Sequence, residues 1–281
     1  MLTKITIKKT IRELSRSPIG LFLRGKLNIY PPAINLRYSE VSSDLFIWRD
    51  PAGWNNYFNI AHLGPILNPN YQENYNAFIE FYDASGSKLG GKLVILVYGE
   101  SKLLDINDLS EGLCKLGNNG TFAIFHLADI KAIFNGEKIC IAERGFVSYK
   151  RKTDKSMLRS YSHGNTNAVA FSLKTHKSRR IGVLQKDKQY FRSQLNLDDS
   201  ISSEIILVNF LEKNAKIKIF HYKNNKKEQL NEISIASGGL AILKSNDDFN
   251  LQYLVEFESK LNFLRPVIFK YYENHFDVLH G

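Results

Sequence analysis

Arg159, Tyr161 and His163 recur every second residue within RSYSHGN (Arg159–Asn165). In an extended segment that spacing sends all three side chains to one face. A guanidinium, a phenol and an imidazole side by side can bind a carboxylate, a phosphate or sugar hydroxyls. The Asn165 amide follows just beyond Gly164. Arg144 and Arg265, at the starts of the strand-like runs ERGFVSYK and LRPVIFKY, add two further groups for an anion. Each residue alone reads as part of a solvated strand face, but the cluster reads as a ligand-binding site. If a reaction took place there, His163 would be its acid or base, with Arg159 or Arg144 on the anion. Ser162 is no nucleophile for it, because adjacent strand residues point to opposite faces.

A second set is WRDPAGWNNYF (Trp48–Phe58). Trp48 and Trp54 flank a Pro-Gly loop with Arg49, Asp50, Asn55 and Asn56. A pyranose has one apolar face and a rim of hydroxyls, so an aromatic plate beside planar polar groups suits it. The commoner fate of Trp is to anchor a sandwich core. The seven histidines form no HExxH, and paired Cys spacing, a glycine-rich phosphate loop and a GxSxG elbow are all missing. FHLADI supplies His126 alone, and the matching downstream position is Glu258. A cupin-type zinc or iron set is therefore not expected, and no cofactor is.

Most of the elements that would hold these residues read as strands. From Leu36 onward, apolar runs of strand length alternate with Gly, Asn, Asp and Ser. The runs include Ser43–Arg49, Asn76–Asp83, Lys92–Tyr98, Ser101–Ile106, Thr121–Leu127 and Phe146–Arg151. Asp83–Gly91 reads as a hairpin connection with glycines for positive φ. Asp105–Gly117 reads as holding a short helical turn capped by Asp105 or Asn107.

The pattern also repeats. Asn76–Asp108 lies beside Ala215–Asp247, each reading strand, polar turn, strand, small-residue turn, strand and Asn-Asp loop. TFAIFHL then matches YLVEFES, and ERGFVSYK matches LRPVIFKY. His163-Gly164 and His280-Gly281 thereby close equivalent strands. The expectation is an all-β chain of two tandem antiparallel β-sandwich domains from an internal duplication, preceded by a short basic helical arm. The boundaries are 1–35 for the arm, 36–155 for the first sandwich and 156–281 for the second.

The 281 residues, 43% of them hydrophobic, can fill two cores. The formal charge of +10 raises the question of an anionic partner. The basic clusters Lys150–Lys155, Lys174–Arg180 and Lys223–Lys227 read as connectors, with the aromatics inside strands between them. A nucleic-acid surface would interleave the two on one face, so nucleic acid is not the expected partner. In the arm, Ile7, Ile11 and Leu14 at helical spacing among basic residues fit contact with a membrane surface or a partner. No apolar run is long enough to span a bilayer and no secretory cleavage pattern is present. Cys114 and Cys140 make one pair at most. The expected location is the cytoplasm, with the arm as the segment that could bring the chain to the inner face of the membrane.

Within the arm, TIRELSRSPIGLFLRGK (Thr10–Lys26) is similar to the short basic Leu-Arg-x-Pro-x-x-Phe-Phe segment of many bacterial capsule and surface-polysaccharide proteins, where it often stands beside glycosyltransferase domains. Arg12, Leu14, Arg16, Pro18, Leu21 and Phe22 carry the match, and Arg24 stands where that segment usually has Asp. The repeated sandwich ending in FDVLHG also resembles uncharacterised proteins that accompany such pathways. The resemblance implies a place in surface-polysaccharide biosynthesis and a glycosyltransferase partner, and assigns no catalytic residue. Combined with the residues, it points to a non-catalytic protein that binds a glycan, a nucleotide-sugar-like group or a partner enzyme. The alternatives are a glycan-modifying enzyme with its site at the domain junction, and an assembly scaffold.

Overall fold

The structure, a computed structural model, describes residues 40–129, 133, 141–154, 159–194, 202–223, 226–245, 254–261 and 264–280. The basic arm expected over 1–35 lies outside them. The described chain is all-β, with several antiparallel sheets and two short helices.

Chain order begins with β1 (Glu40–Trp48), β2 (Trp54–Ala61), α1 (Gly64–Leu67), β3 (Tyr75–Asp83) and β4 (Lys88–Leu96). It continues through β5 (Ser101–Asp105), α2 (Ile106–Ser110), β6 (Gly120–His126), β7 (Ala142–Glu143) and β8 (Phe146–Arg151). β9 (Ser160–His163), β10 (Asn165–Ser172) and β11 (Ser178–Arg180) complete the first half. The second half runs β12 (Leu184–Gln194), β13 (Ser202–Val208), β14 (Ala215–Lys223), β15 (Lys226–Ile235) and β16 (Leu240–Lys244). It ends with β17 (Leu254–Leu261), β18 (Val267–Tyr271) and β19 (Phe276–His280).

In the first half, one sheet has the order β11-β10-β1-β6-β3-β4, with β7 beside β1, and another has the order β5-β2-β8-β9. In the second half the orders are β12-β17-β14-β15 and β16-β13-β18-β19. Taken in chain order, β1-β6-β3-β4 and β12-β17-β14-β15 are the same path, as are β5-β2-β8-β9 and β16-β13-β18-β19. β9 and β19, which end at the two His-Gly pairs, hold the same place in their sheets.

Strand pairing runs across the boundary expected at 155/156. β9 pairs with β8, and β10 pairs with β1 and β11, so residues up to Arg180 belong to sheets of the first half. Sequence could not place it, because backbone pairing rather than a change in composition holds these strands. The basic run Lys174–Arg180, read as a connector, also ends in a strand. There Arg179 pairs with the Glu40 carboxylate and Arg180 lies buried over the Tyr82 ring.

Local sequence accounts for the elements. WNNYFNIA alternates, so Trp54, Asn56, Phe58 and Ile60 turn inward while Tyr57 and Asn59 turn out. β1 and β6 are buried along their whole length, as interior strands covered on both faces are. The Asp105 carboxylate caps α2 by accepting from the Asn107 and Asp108 N–H groups. The Trp48 indole N–H reaches the Tyr82 and Thr121 carbonyls, both at 3.2 Å, and so ties β1 to β3 and β6. Only Gly fits at 120, where a Cβ would meet that indole at 2.6 Å.

One buried apolar cluster runs through both halves. At their contact, the Arg49 guanidinium lies against the Trp54 and Phe269 rings and pairs with Glu204 at 2.5 Å. The Tyr271 hydroxyl donates to the same carboxylate. Trp54 packs edge-on against Phe269 and Phe276, and Tyr149 packs against Phe269. A second contact joins the turns after β3 and β15, where the Leu240 N–H donates to the Ala84 carbonyl. Gly86 is needed there: its φ is +82°, and a Cβ would fall on the Ser237 carbonyl.

Candidate functional site

The cluster centred on β9 faces outward from the β5-β2-β8-β9 sheet. Within β9 the exposure alternates: Tyr161 and His163 are exposed and Ser162 is buried. Register sets their neighbours, with Tyr57 opposite Ser148, Ser148 opposite Tyr161, and Phe146 opposite His163. Directly opposed residues share a face, so Tyr57, Phe146, Tyr161 and His163 stand together on it.

These side chains form a shallow aromatic surface. The His163 imidazole lies over the Phe146 ring at 4.0 Å and 43°. The Arg159 guanidinium sits 4.2 Å above the Tyr57 ring, a cation–π contact worth about 0.5–1 kcal/mol at an exposed position. Ser148 is small and buried, and leaves a floor between the Tyr57 and Tyr161 rings. Phe146 is 49% and Tyr161 59% exposed, so both present ring surface to water. Leu103 of β5, opposite Asn59 of β2, extends the apolar area.

Arg144 stands exposed just ahead of β8, its Nε 3.6 Å from the buried Asp44 carboxylate. Gly164 packs at the same place, since a Cβ there would meet the Asp44 Cβ at 2.6 Å. Asn165 begins β10 opposite Leu45. The structure thus gathers Arg144, Arg159, Tyr161 and His163 around β8 and β9. Arg265 is exposed ahead of β18, in a sheet of the second half.

Trp48 and Trp54 do not form the expected sugar platform. They are 1% and 6% exposed, and both indoles serve the interior. Trp48 is held between β3 and β6, and Trp54 fills the contact between the halves. The rings on the outward face of the β5-β2-β8-β9 sheet are instead Tyr57, Phe146 and Tyr161. The alternation of WNNYFNIA does place Tyr57 in the outward phase. Its meeting with Tyr161 depends on β2-β8-β9 register, which no local pattern encodes.

His126 takes part in a buried relay. The Leu63 N–H donates to the Tyr75 hydroxyl at 2.8 Å, so the phenol proton is free to point at His126 Nδ1, 3.0 Å away. Nε2 then donates to the Glu143 carboxylate at 2.7 Å. His126 is buried, and burial pushes the Tyr75 phenol well above its ordinary pKa, so the relay holds a neutral phenol and cross-links strands. Among the described residues, no group of three His, Cys, Asp or Glu is placed to hold a metal ion.

No helix among the described residues is long and apolar enough to cross a membrane. Comparison of the chain with known proteins gives no match, neither to a protein family nor to a curated sequence.

Proposed function

We propose that this protein binds carbohydrate without transforming it, through the outward face of the β5-β2-β8-β9 sheet. The observation that carries the reading is that face itself: exposed Phe146 and Tyr161 rings beside Arg159 and His163. A ring plate with flanking donors matches one face of a sugar and its hydroxyl rim. An open, flat strand surface favours binding over reaction, since catalysis gains from excluding water. The architecture fits two tandem β-sandwiches of duplicated origin, a reading supported by the recurrence of both strand orders. The Thr10–Lys26 segment supports a setting in bacterial surface-polysaccharide biosynthesis, in the cytoplasm, beside a glycosyltransferase.

The test is titration of the full chain with a panel of oligosaccharides and nucleotide sugars, followed by NMR or calorimetry. At least one panel member should bind, and Phe146→Ala and Tyr161→Ala should each weaken it about tenfold, the value of one lost stacking contact of roughly 1.4 kcal/mol. His163→Ala should weaken binding as well. No binding by any panel member, or full affinity in all three variants, overturns the reading. Turnover that His163→Ala abolishes would make the protein an enzyme.

A second reading, assembly, has its own observation. β4 ends its sheet, and Leu93 and Ile95 point outward from it with Val97 following, all exposed. An apolar edge strand is a surface for pairing with another chain. Ile95→Lys should abolish concentration-dependent self-association in sedimentation without altering the unfolding midpoint. A wild-type monomer at all concentrations removes the scaffold reading.

A further inference from the structure

The second half carries a different open face, on the β12-β17-β14-β15 sheet. Register lines up Tyr190, Glu258, Lys218 and Glu232 across the four strands, and Arg192, Glu256, Phe220 and Gln229 beside them. The Glu256 carboxylate is fully buried beneath this surface. It accepts from Arg192 Nε at 2.5 Å, from the Tyr222 hydroxyl at 2.9 Å and from Lys227. Glu258 holds Lys188 in the same way. Lys227 lies over the Phe220 ring and Arg192 over the Tyr222 ring. Cations and rings are therefore interleaved on one surface, whereas the sequence had suggested charge confined to connectors.

This surface is preorganised. Buried carboxylates fix Arg192, Lys227 and Lys188 while their outer atoms stay in water, and Arg192 remains 61% exposed. A ligand meets cations that have already lost much of their rotamer freedom, which lowers the cost of binding. The face holds six cations, Lys188, Arg192, Lys216, Lys218, Lys227 and Lys260, against three carboxylates, Glu232, Glu256 and Glu258, an excess of three.

We propose that this second face binds an acidic polysaccharide, one whose sugars carry carboxylates. The inference rests on the carbohydrate reading above and names the class of glycan. Three observations favour it over nucleic acid. The cationic excess is only three, short of the run of Lys and Arg with which a surface tracks a phosphate backbone. Exposed Tyr190 and Gln229 add a hydroxyl and an amide on the same face, groups that pair with sugar hydroxyls. The Tyr190 ring on β12 is 56% exposed, in position to support a sugar ring edge.

The experiment titrates the full chain with polygalacturonate oligomers, with dextran oligomers of equal length and with an oligothymidylate. Polygalacturonate should bind more tightly than dextran, and raising the salt from about 0.05 M to about 0.3 M should weaken it about tenfold or more. Arg192→Gln/Lys227→Gln should weaken it at least tenfold. That pair leaves Glu256 buried without cations, so Lys216→Gln/Lys218→Gln, which leaves the Glu256 cations in place and removes only the exposed pair of Lys216 with Glu232, supplies a milder check and should give a similar loss. Phe146→Ala and Tyr161→Ala should leave polygalacturonate binding to this face unchanged. Equal binding of dextran and polygalacturonate, or full affinity in both charge variants, overturns the inference and leaves the first-half reading standing. Tighter binding of oligothymidylate also overturns it. Loss of polygalacturonate binding in Phe146→Ala alone places the acidic glycan on the first-half face and overturns the second site only.

Discussion

Two buried ionic groups make testable demands on single side chains. Arg49 is buried with its charge shared between Glu204, Tyr271 and two ring faces, and its Nε and Nη1 find no acceptor among the described residues. Replacing it leaves Glu204 deprived of its cation at the contact between halves. Arg49→Met should destabilise the fold by about 3–5 kcal/mol, and Glu204→Gln in the same chain should restore part of the loss. Urea denaturation measures both. Burial pushes the Glu256 carboxyl upward, yet hydrogen bonds from Lys227, Arg192 and Tyr222 together outweigh it and hold the group below the ordinary range. A carboxyl lowered on folding stabilises above its unfolded value of about 4.3 and loses that contribution as pH falls through the folded value. The wild-type midpoint in urea should therefore fall more between about pH 6 and about pH 3 than that of Glu256→Gln. Equal falls would show that Glu256 carries no net linkage.

At the scale of elements, local chemistry was readable and pairing was not. Phe146–Arg151 is legible as a strand-length apolar run, and the cap of α2 narrows to Asp105 or Asn107, of which the structure uses Asp105. Asp105→Ala should cost about 1 kcal/mol, checked by the thermal midpoint. β9 was readable as a strand with Tyr161 and His163 on one side, but its neighbour Phe146 was not, since register is a long-range choice. Both Trp misled for a related reason. A Pro-Gly loop between them looks like a rim, whereas burial is decided by strands from elsewhere, β3 and β6 for Trp48 and β18 and β19 for Trp54. The cationic face was hidden more deeply. Lys188, Lys218 and Lys227 are distant in sequence and fall on one surface only once four strands are paired.

At the scale of the molecule, the contact between halves is part of the core rather than a hinge. Trp54, Tyr149, Phe269 and Phe276 interlock there, and the turns at Ala84–Gly86 and Ser237–Leu240 meet backbone to backbone. Unfolding by urea should follow one cooperative transition, with fluorescence and far-ultraviolet dichroism coincident. Trp54→Ala should cost about 3–5 kcal/mol and separate the two signals. Coincident curves in that variant would show that the Arg49–Glu204 pair, the Tyr149–Phe269 contact and the turns suffice to couple the halves.

The matching four-stranded sheets end differently. Phe146, Tyr161 and His163 of the first lie open, whereas Val267, Ile268, Phe269 and Lys270 on β18 of the second are buried on both faces. The recurrence of strand order is consequently not a recurrence of surface chemistry. One face is spent on joining the halves, and the exposed face of the other sheet in that half has different chemistry. Under the two binding proposals, each chain would be a connector with two unlike ends. A long glycan gripped at one end would raise the local concentration of its neighbouring segments at the other, so avidity would come from chain length rather than from repeated sites. Mixed with polymer in excess, such a molecule would hold strands together in pairs. Mixed with short oligomers, it would merely fill and saturate.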